Sequence, residues 1–175
     1  RVVDGAIVLD NGASYRILVI PDQVEALTPE LAAHLRDLVR DGAVLLSPRP
    51  AYSLGQRNPA ESGRVFDVAV ADLWGDAPIP AEGRGVGDGR VFSNVAVQHV
   101  LEAAGVPPDV TCATQRVDGQ VAWLHRSVAE REVYFIANRQ RRQEQVACSF
   151  RIAGRAPGLW RAADGSITGA ALYAE

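Results

Sequence analysis

The stretch Ile17-Leu18-Val19-Ile20-Pro21-Asp22, followed by Thr28-Pro29-Glu30-Leu31 and then Gly42-Ala43-Val44-Leu45-Leu46, decides how the chain is read. Ile17 to Ile20 is continuously apolar and largely β-branched, the pattern of a strand buried on both faces, and Pro21-Asp22 stops it. Thr28 is placed to cap a helix. Pro29 suits its first position, where a backbone N–H would have no partner in any case. Leu31, Leu35, Leu38 and Val39 recur on one helical face. Gly42 supplies the left-handed backbone that ends such a helix, and Ala43 to Leu46 reads as a second buried strand.

Outward from this strand–helix–strand unit, Ile7-Val8-Leu9 and Arg16 to Ile20 form two extended runs around the turn signal Asp10-Asn11-Gly12. Downstream, residues 47–63 are rich in Pro, Gly and Ser and read as a long loop. Asp67 is placed to cap a short helix carrying Val70, Leu73 and Trp74. Residues 76–89 are again Gly/Pro-rich, Arg90-Val91-Phe92 is a short strand, and Asn94 is placed to cap a helix with Val97, Val100, Leu101 and Ala104. Alternating strands and helices predict an α/β fold over residues 1–112, a parallel sheet with flanking helices and right-handed crossovers. After residue 112 the pattern changes. Residues 121–128, 132–137 and 145–152 read as strands between polar turns, and residues 155–175 carry Pro157, Asp164-Gly165 and Gly169. Residues 113–175 are therefore expected to form antiparallel β-strands, a meander that begins a partial β-sandwich continuing past Glu175.

The chain has 175 residues, 47% hydrophobic and 22% charged, an ordinary globular balance. The net charge of -3 argues against nucleic acid as a partner, since phosphate binding needs a basic face. No apolar run approaches the roughly 20 residues of a membrane span, so a soluble protein is expected. All basic residues are Arg, Met is absent, and the first residue is Arg1. The expectation is an internal piece of a larger protein, or a chain matured by signal removal.

Candidate chemistry is sparse. Gly83-Arg84-Gly85-Val86-Gly87 superficially resembles a phosphate loop but does not join a long strand to a helix. Ser47 ends a strand, yet Pro48 after it has no N–H for an oxyanion hole. His34, His99 and His125 lack a second ligand at metal-binding spacing. Asp22, Asp37, Asp67 and Asp72 read as caps, turns or solvated positions, so no catalytic pair is nominated. Trp123-Leu124-His125-Arg126 is the most distinctive stretch. Alternation puts Trp123 and His125 on one face and Leu124 and Arg126 on the other. His125, Arg126 and Asn138 are the candidate contacts to a ligand or another domain, against the plainer reading of a strand with a buried Trp and a polar rim. Arg139-Gln140-Arg141-Arg142 reads as an exposed hairpin tip. Cys112 and Cys148 fit no metal motif. A disulfide between them is left open, and two packed free thiols are the favoured reading.

Several stretches, in order, carry a resemblance: Tyr15-Arg16-Ile17-Leu18-Val19-Ile20-Pro21-Asp22, Thr28-Pro29-Glu30-Leu31, Leu38-Val39-Arg40-Asp41-Gly42-Ala43, Leu73-Trp74-Gly75-Asp76, Gly89-Arg90-Val91-Phe92, Trp123-Leu124-His125-Arg126, Val133-Tyr134-Phe135-Ile136-Ala137-Asn138 and Gly158-Leu159-Trp160. Together they resemble the region after the catalytic barrel of large bacterial α-L-rhamnosidases of glycoside hydrolase family 106. The resemblance implies a glutamine-amidotransferase-like, flavodoxin-like α/β accessory domain followed by a β-sandwich. It also implies a parent that hydrolyses terminal rhamnosides, is secreted or periplasmic, and depends on calcium. No calcium ligand, cofactor or catalytic residue maps onto this chain. The implied partners are the remainder of the parent enzyme with its barrel, and carbohydrate; no membrane is implied. The alternatives are a stand-alone α/β binding or oligomerisation module, suggested by the loops at 47–63 and 76–89, and a small independent α/β hydrolase.

Overall fold

The computed structural model describes residues 1–54 and 59–170. The chain forms two compact units, Arg1–Val106 and Pro107–Glu175. The first contains β1 (Val2–Val3), β2 (Ala6–Val8), β3 (Ser14–Tyr15), β4 (Ile17–Val19), β5 (Ala26–Leu27), α1 (Pro29–Arg40), β6 (Val44–Leu46), β7 (Tyr52–Ser53), α2 (Pro59–Trp74), β8 (Arg84–Val86), β9 (Gly89–Phe92) and α3 (Val97–Ala103). The second contains β10 (Val110–Thr114), β11 (Val121–Val128), β12 (Arg131–Asn138), β13 (Val146–Phe150), β14 (Gly158–Trp160) and β15 (Ile167–Gly169).

In the first unit a four-stranded sheet has the order β4-β6-β9-β8. Side-chain alternation along its strands feeds two cores. Leu45 and Val91 face Ala32, Leu35 and Val39 of α1 and Phe66, Ala69, Val70, Leu73 and Trp74 of α2. Leu46 and Phe92 face Val100 of α3. Thr28 caps α1 as its sequence suggests, its hydroxyl oxygen accepting the Leu31 N–H at 3.2 Å. Asn94 does not cap α3. Ala96 takes that place without a side-chain bond, and Asn94 sits in left-handed backbone at φ 57°.

The expected α/β class, a flavodoxin-like or amidotransferase-like parallel sheet under helices, is corrected. The described residues are 34% strand and only 20% helix, arranged mostly in small antiparallel sheets. Parallel pairing is confined to the three-residue register of β4, β6 and β9 and the two-residue pair β5/β7. Two sequence features account for the misreading. The turn at residues 10–12 is real, with the Gly12 N–H on the Leu9 carbonyl at 3.0 Å. Yet β2 pairs antiparallel with Ser14–Tyr15, and the apolar run at Ile17–Val19 leaves for another sheet. Likewise, residues 84–92 are not a glycine loop and a lone strand but the antiparallel hairpin β8–β9.

The helix expected to begin at Asp67 instead begins at Pro59, so the long loop expected over 47–63 is shorter at its C-terminal end; its residues 55–58 lie outside the described residues. Gly63, inside α2, lowers local helix propensity by about 1 kcal/mol relative to Ala. Burial of Phe66, Val70, Leu73 and Trp74 more than offsets this.

In the second unit the strands do not follow one another as a meander. β10 pairs antiparallel with β13, and the β11–β12 hairpin is inserted between them in sequence. β14 and β15 form a separate hairpin whose Leu159, Trp160 and Ile167 are exposed.

The glycines around the β8–β9 turn are explained by close approach to α1. Gly87 takes φ 59°, and the Asp88 N–H donates to the Arg40 carbonyl at 3.0 Å. A Cβ on Gly89 would stand 2.1 Å from the Val39 carbonyl oxygen and 2.4 Å from that of Ala43. Both are backbone atoms, one in the last turn of α1 and one just before β6, which a rotamer change does not relieve. Gly89→Ala is therefore expected to destabilise the first unit by about 1–3 kcal/mol, read as a lowered midpoint in urea unfolding. Gly85→Ala, whose Cβ would meet nothing within 4 Å, is the matched control.

Candidate functional site

His125 is the centre of the most connected side-chain network in the second unit. It lies midway along β11, directly opposite Tyr134 of β12. Period-two alternation puts Trp123, His125 and Ser127 on the same face of the hairpin as Glu132, Tyr134 and Ile136. That face turns toward β10 and β13. The His125 and Tyr134 rings stack with centroids 4.1 Å apart, and Tyr134 packs on Phe150 of β13 at 4.6 Å.

Each ring nitrogen of His125 meets a carboxylate. Nδ1 lies 2.7 Å from Asp109 Oδ2, and Nε2 lies 2.7 Å from Glu132 Oε2. Ser127 Oγ donates to the same Glu132 oxygen at 2.6 Å. The Tyr134 hydroxyl donates to Asp109 Oδ1 at 3.3 Å, and Arg151 Nη2 stands 3.7 Å from that oxygen. An imidazolium donates to both acids, whereas a neutral imidazole would set a lone pair against one of them. The hydrogen bond to Glu132, then the one to Asp109, raises the His125 pKa above its usual 6.5 against the opposing effect of burial. Ser127, then His125, holds Glu132 below its usual 4.5. Burial, then the charge of Asp109, raises the Tyr134 phenol.

With His125 and Arg151 cationic, two positive charges face two carboxylates. The arrangement is a charge-compensated tie between the segment before β10 and the β11–β12 hairpin. Both carboxylates are engaged inside the network, one on each ring nitrogen.

The three sequence candidates are not brought together. His125 is in the network. Arg126 points to the other face, opposite Val133, with its guanidinium donating to the His125 carbonyl at 3.1 Å. Asn138 lies at the far end of β12. Its Nδ2 donates to the Arg142 carbonyl at 2.6 Å and its Oδ1 accepts the Gln140 N–H at 2.9 Å, so it shapes the turn over residues 139–142. That turn is not a free basic patch. Arg142 makes a two-pronged pair with Asp118 at 2.9 and 2.6 Å, which depresses the Asp118 pKa. Alternation could have placed Ser127, Glu132 and Tyr134 beside His125; nothing in the sequence signals Asp109, which arrives from outside the hairpin.

The Ser47 hydroxyl donates to the Pro48 carbonyl at 2.8 Å, and the Ser47 carbonyl accepts the Trp74 ring N–H at 3.3 Å. No base adjoins Ser47 among the described residues. One cavity of about 310 Å³ lies beside the glycine-rich hairpin, lined by Gly42, Gly87, Asp88, Arg90 and Ala104 among others. A smaller one of about 210 Å³ lies between α1 and α2, lined by Pro29, Glu30, Glu61, Ser62 and Val65. Neither includes the His125 network. Among the described residues no group of three or more His, Cys, Asp or Glu is arranged to hold a metal ion. No helix among them is long and apolar enough to cross a membrane.

The network makes stability depend on pH in a definite direction. The raised His125 contributes fully below about pH 6.5 and is lost as pH climbs through its folded value; the lowered Glu132 contributes above about pH 4.5 and is lost as pH falls through its folded value. The melting-temperature advantage of the wild type over His125→Gln is therefore expected to be widest between pH 4.5 and 6.5. It should shrink on both sides. A difference independent of pH would show that the imidazole acts by packing alone.

Comparison with known proteins places this architecture. Residues 1–174 match the family model described as alpha-L-rhamnosidase of glycoside hydrolase family 106. A solved rhamnosidase from Novosphingobium sp. PP1Y superposes with a TM-score of 0.79 at 25% identity, over 94% of this chain and 15% of that one. A protein of Formosa agariphila named "Putative beta-glucuronidase" is 24% identical over 176 residues, covering 98% of this chain and 14% of its own length. The chain thus spans about one-seventh of the length of these relatives, and along nearly its whole length it belongs to the α-L-rhamnosidase family, glycoside hydrolase family 106.

Proposed function

We propose that this chain is a non-catalytic accessory region of a larger α-L-rhamnosidase, which hydrolyses terminal rhamnosides with acids located elsewhere in the parent. The observation that carries the reading is the engagement of Asp109 and Glu132. These two acids converge, but on His125, and each is further occupied by Ser127, Tyr134 or Arg151. A glycosidase pair needs one protonated and one free carboxyl facing an open cleft.

The role left to the chain is to supply packing surface. On the face of the β11–β12 hairpin opposite His125, Leu124, Val128 and Phe135 are 48%, 59% and 57% exposed, with Val133 beside them. An exposed apolar patch of this kind marks a contact surface. We assign it to the remainder of the parent enzyme, with Arg126, between Leu124 and Val128 and opposite Val133, as an interdomain contact. On this reading the second unit is the beginning of a larger antiparallel assembly, and we assign the parent to a secreted or periplasmic compartment.

Two measurements test this. The isolated chain should not hydrolyse aryl α-L-rhamnoside or aryl glucuronide above the buffer rate; turnover abolished by Glu132→Gln would overturn the reading. In the parent enzyme, Leu124→Asp with Phe135→Asp should lower the yield of folded protein and its melting temperature. The KM of whatever folds should be unchanged. A parent unaffected by the double substitution would leave the packing role without support.

A further inference from the structure

We propose that Cys112 and Cys148 form a cross-strand disulfide that locks β10 to β13 and closes the loop carrying the β11–β12 hairpin. The two residues are direct partners in the antiparallel register. Their sulfurs, unbonded in the structure, stand 3.0 Å apart and are half-buried. The ladder fixes which kind of pair they are. The Arg151 N–H donates to the Asp109 carbonyl at 2.9 Å, and the Gln115 N–H to the Gln145 carbonyl at 3.0 Å. Hydrogen-bonded pairs alternate along an antiparallel ladder. Pairs 109/151 and 115/145 are bonded, as are 111/149 and 113/147 between them, which makes Cys112/Cys148 a non-bonded pair. Opposed residues of that kind have Cα atoms about 4.5 Å apart, within the roughly 4.4–6.8 Å that a disulfide spans. Closing the sulfurs to about 2.05 Å therefore needs side-chain rotation and no movement of the strands.

The position gives the bond a structural consequence. Among the described residues β10 and β13 pair only with each other. The segment between the cysteines, 36 positions apart, contains both strands of the hairpin and therefore His125, Glu132 and Tyr134. Cys112 and Cys148 share the register face of Val110 and Phe150, and Phe150 packs on Tyr134. A bond there would tie the loop shut at its base.

The bond forms by exchange with a small-molecule or protein disulfide donor. One cysteine, as thiolate, attacks a donor sulfur, making a mixed disulfide and releasing one donor thiolate. The second cysteine, after losing its proton, attacks the sulfur of the first and releases the other donor thiolate. The donor gains two electrons and, on protonation, becomes two thiols, while the protein loses two protons and two electrons. Burial and the neighbouring Cys112 push the Cys148 thiol up to about 11, so exchange is slow at neutral pH and an alkaline incubation is the fair trial.

The chain is equilibrated with excess oxidised glutathione at about pH 8.5, quenched and desalted in acid, then unfolded in urea with excess iodoacetamide at about pH 8, where free thiols react as thiolates. The expected product is a monomer 2 Da lighter than the reduced chain, with no alkyl groups and one Cys112–Cys148 cross-linked peptide. Its midpoint should lie roughly 10 °C above that of the reduced protein. Cys112→Ser and Cys148→Ser should each stop at one glutathione adduct and show no such shift. If either variant does not fold, the wild-type peptide map and reduced–oxidised comparison decide alone. Recovery of two alkylated thiols, of disulfide-linked dimers, or of an oxidised form no more stable than the reduced one would each overturn the proposal.

Discussion

An imidazole held between two carboxylates is a closed electrostatic unit, and the second half of this protein is organised around it. Asp109 comes from the segment before β10, Glu132 from β12 and His125 from β11. Removing any one leaves a partly buried charge or polar group without its counterpart, the costly state for such groups in a folded protein. The stacked Tyr134 ring and the Ser127 and Arg151 contacts complete the network rather than extending it outward. Perturbed titration therefore needs no active site to account for it. The shifts arise from mutual satisfaction, and structural ion pairs perturb pKa values as catalytic ones do.

The local elements of the first unit were largely legible, because their signals are local. Thr28 and Pro29 start α1, and the apolar runs at Ile17 and Val44 are strands. What was not legible was which strand pairs with which. Three apolar residues look alike whether their partner runs parallel or antiparallel. The turn at Asp10-Asn11-Gly12 announces a hairpin without saying where its second strand stops. Helix α2 was missed at its start for a related reason. Proline and glycine at 59 and 63 read as loop, while the residues that hold the helix, Phe66 to Trp74, act through burial against α1.

The site was legible in part. Alternation correctly separates His125 from Arg126, and applied to the next strand it would have put Glu132 and Tyr134 on the His125 side. It gave no reason to separate Asn138, whose role is set by the turn after β12. Asp109 was out of reach because it precedes a strand whose partner, β13, lies beyond the whole hairpin. Such non-local pairing leaves no periodic trace in sequence.

That same pairing gives the cysteines their meaning. From spacing alone, Cys112 and Cys148 are two thiols in a sequence whose disulfide partners are undefined. Once β10 and β13 are paired, they become facing residues at a non-hydrogen-bonded step. The hairpin between them is held at the His125 face by charge, and the strands at its base are held by a ladder of five register pairs, with no further strand beside it among the described residues. A two-stranded ladder is marginal by itself in water. The covalent link would act on that short ladder and leave the opposite face of the hairpin, with Leu124 and Phe135, exposed.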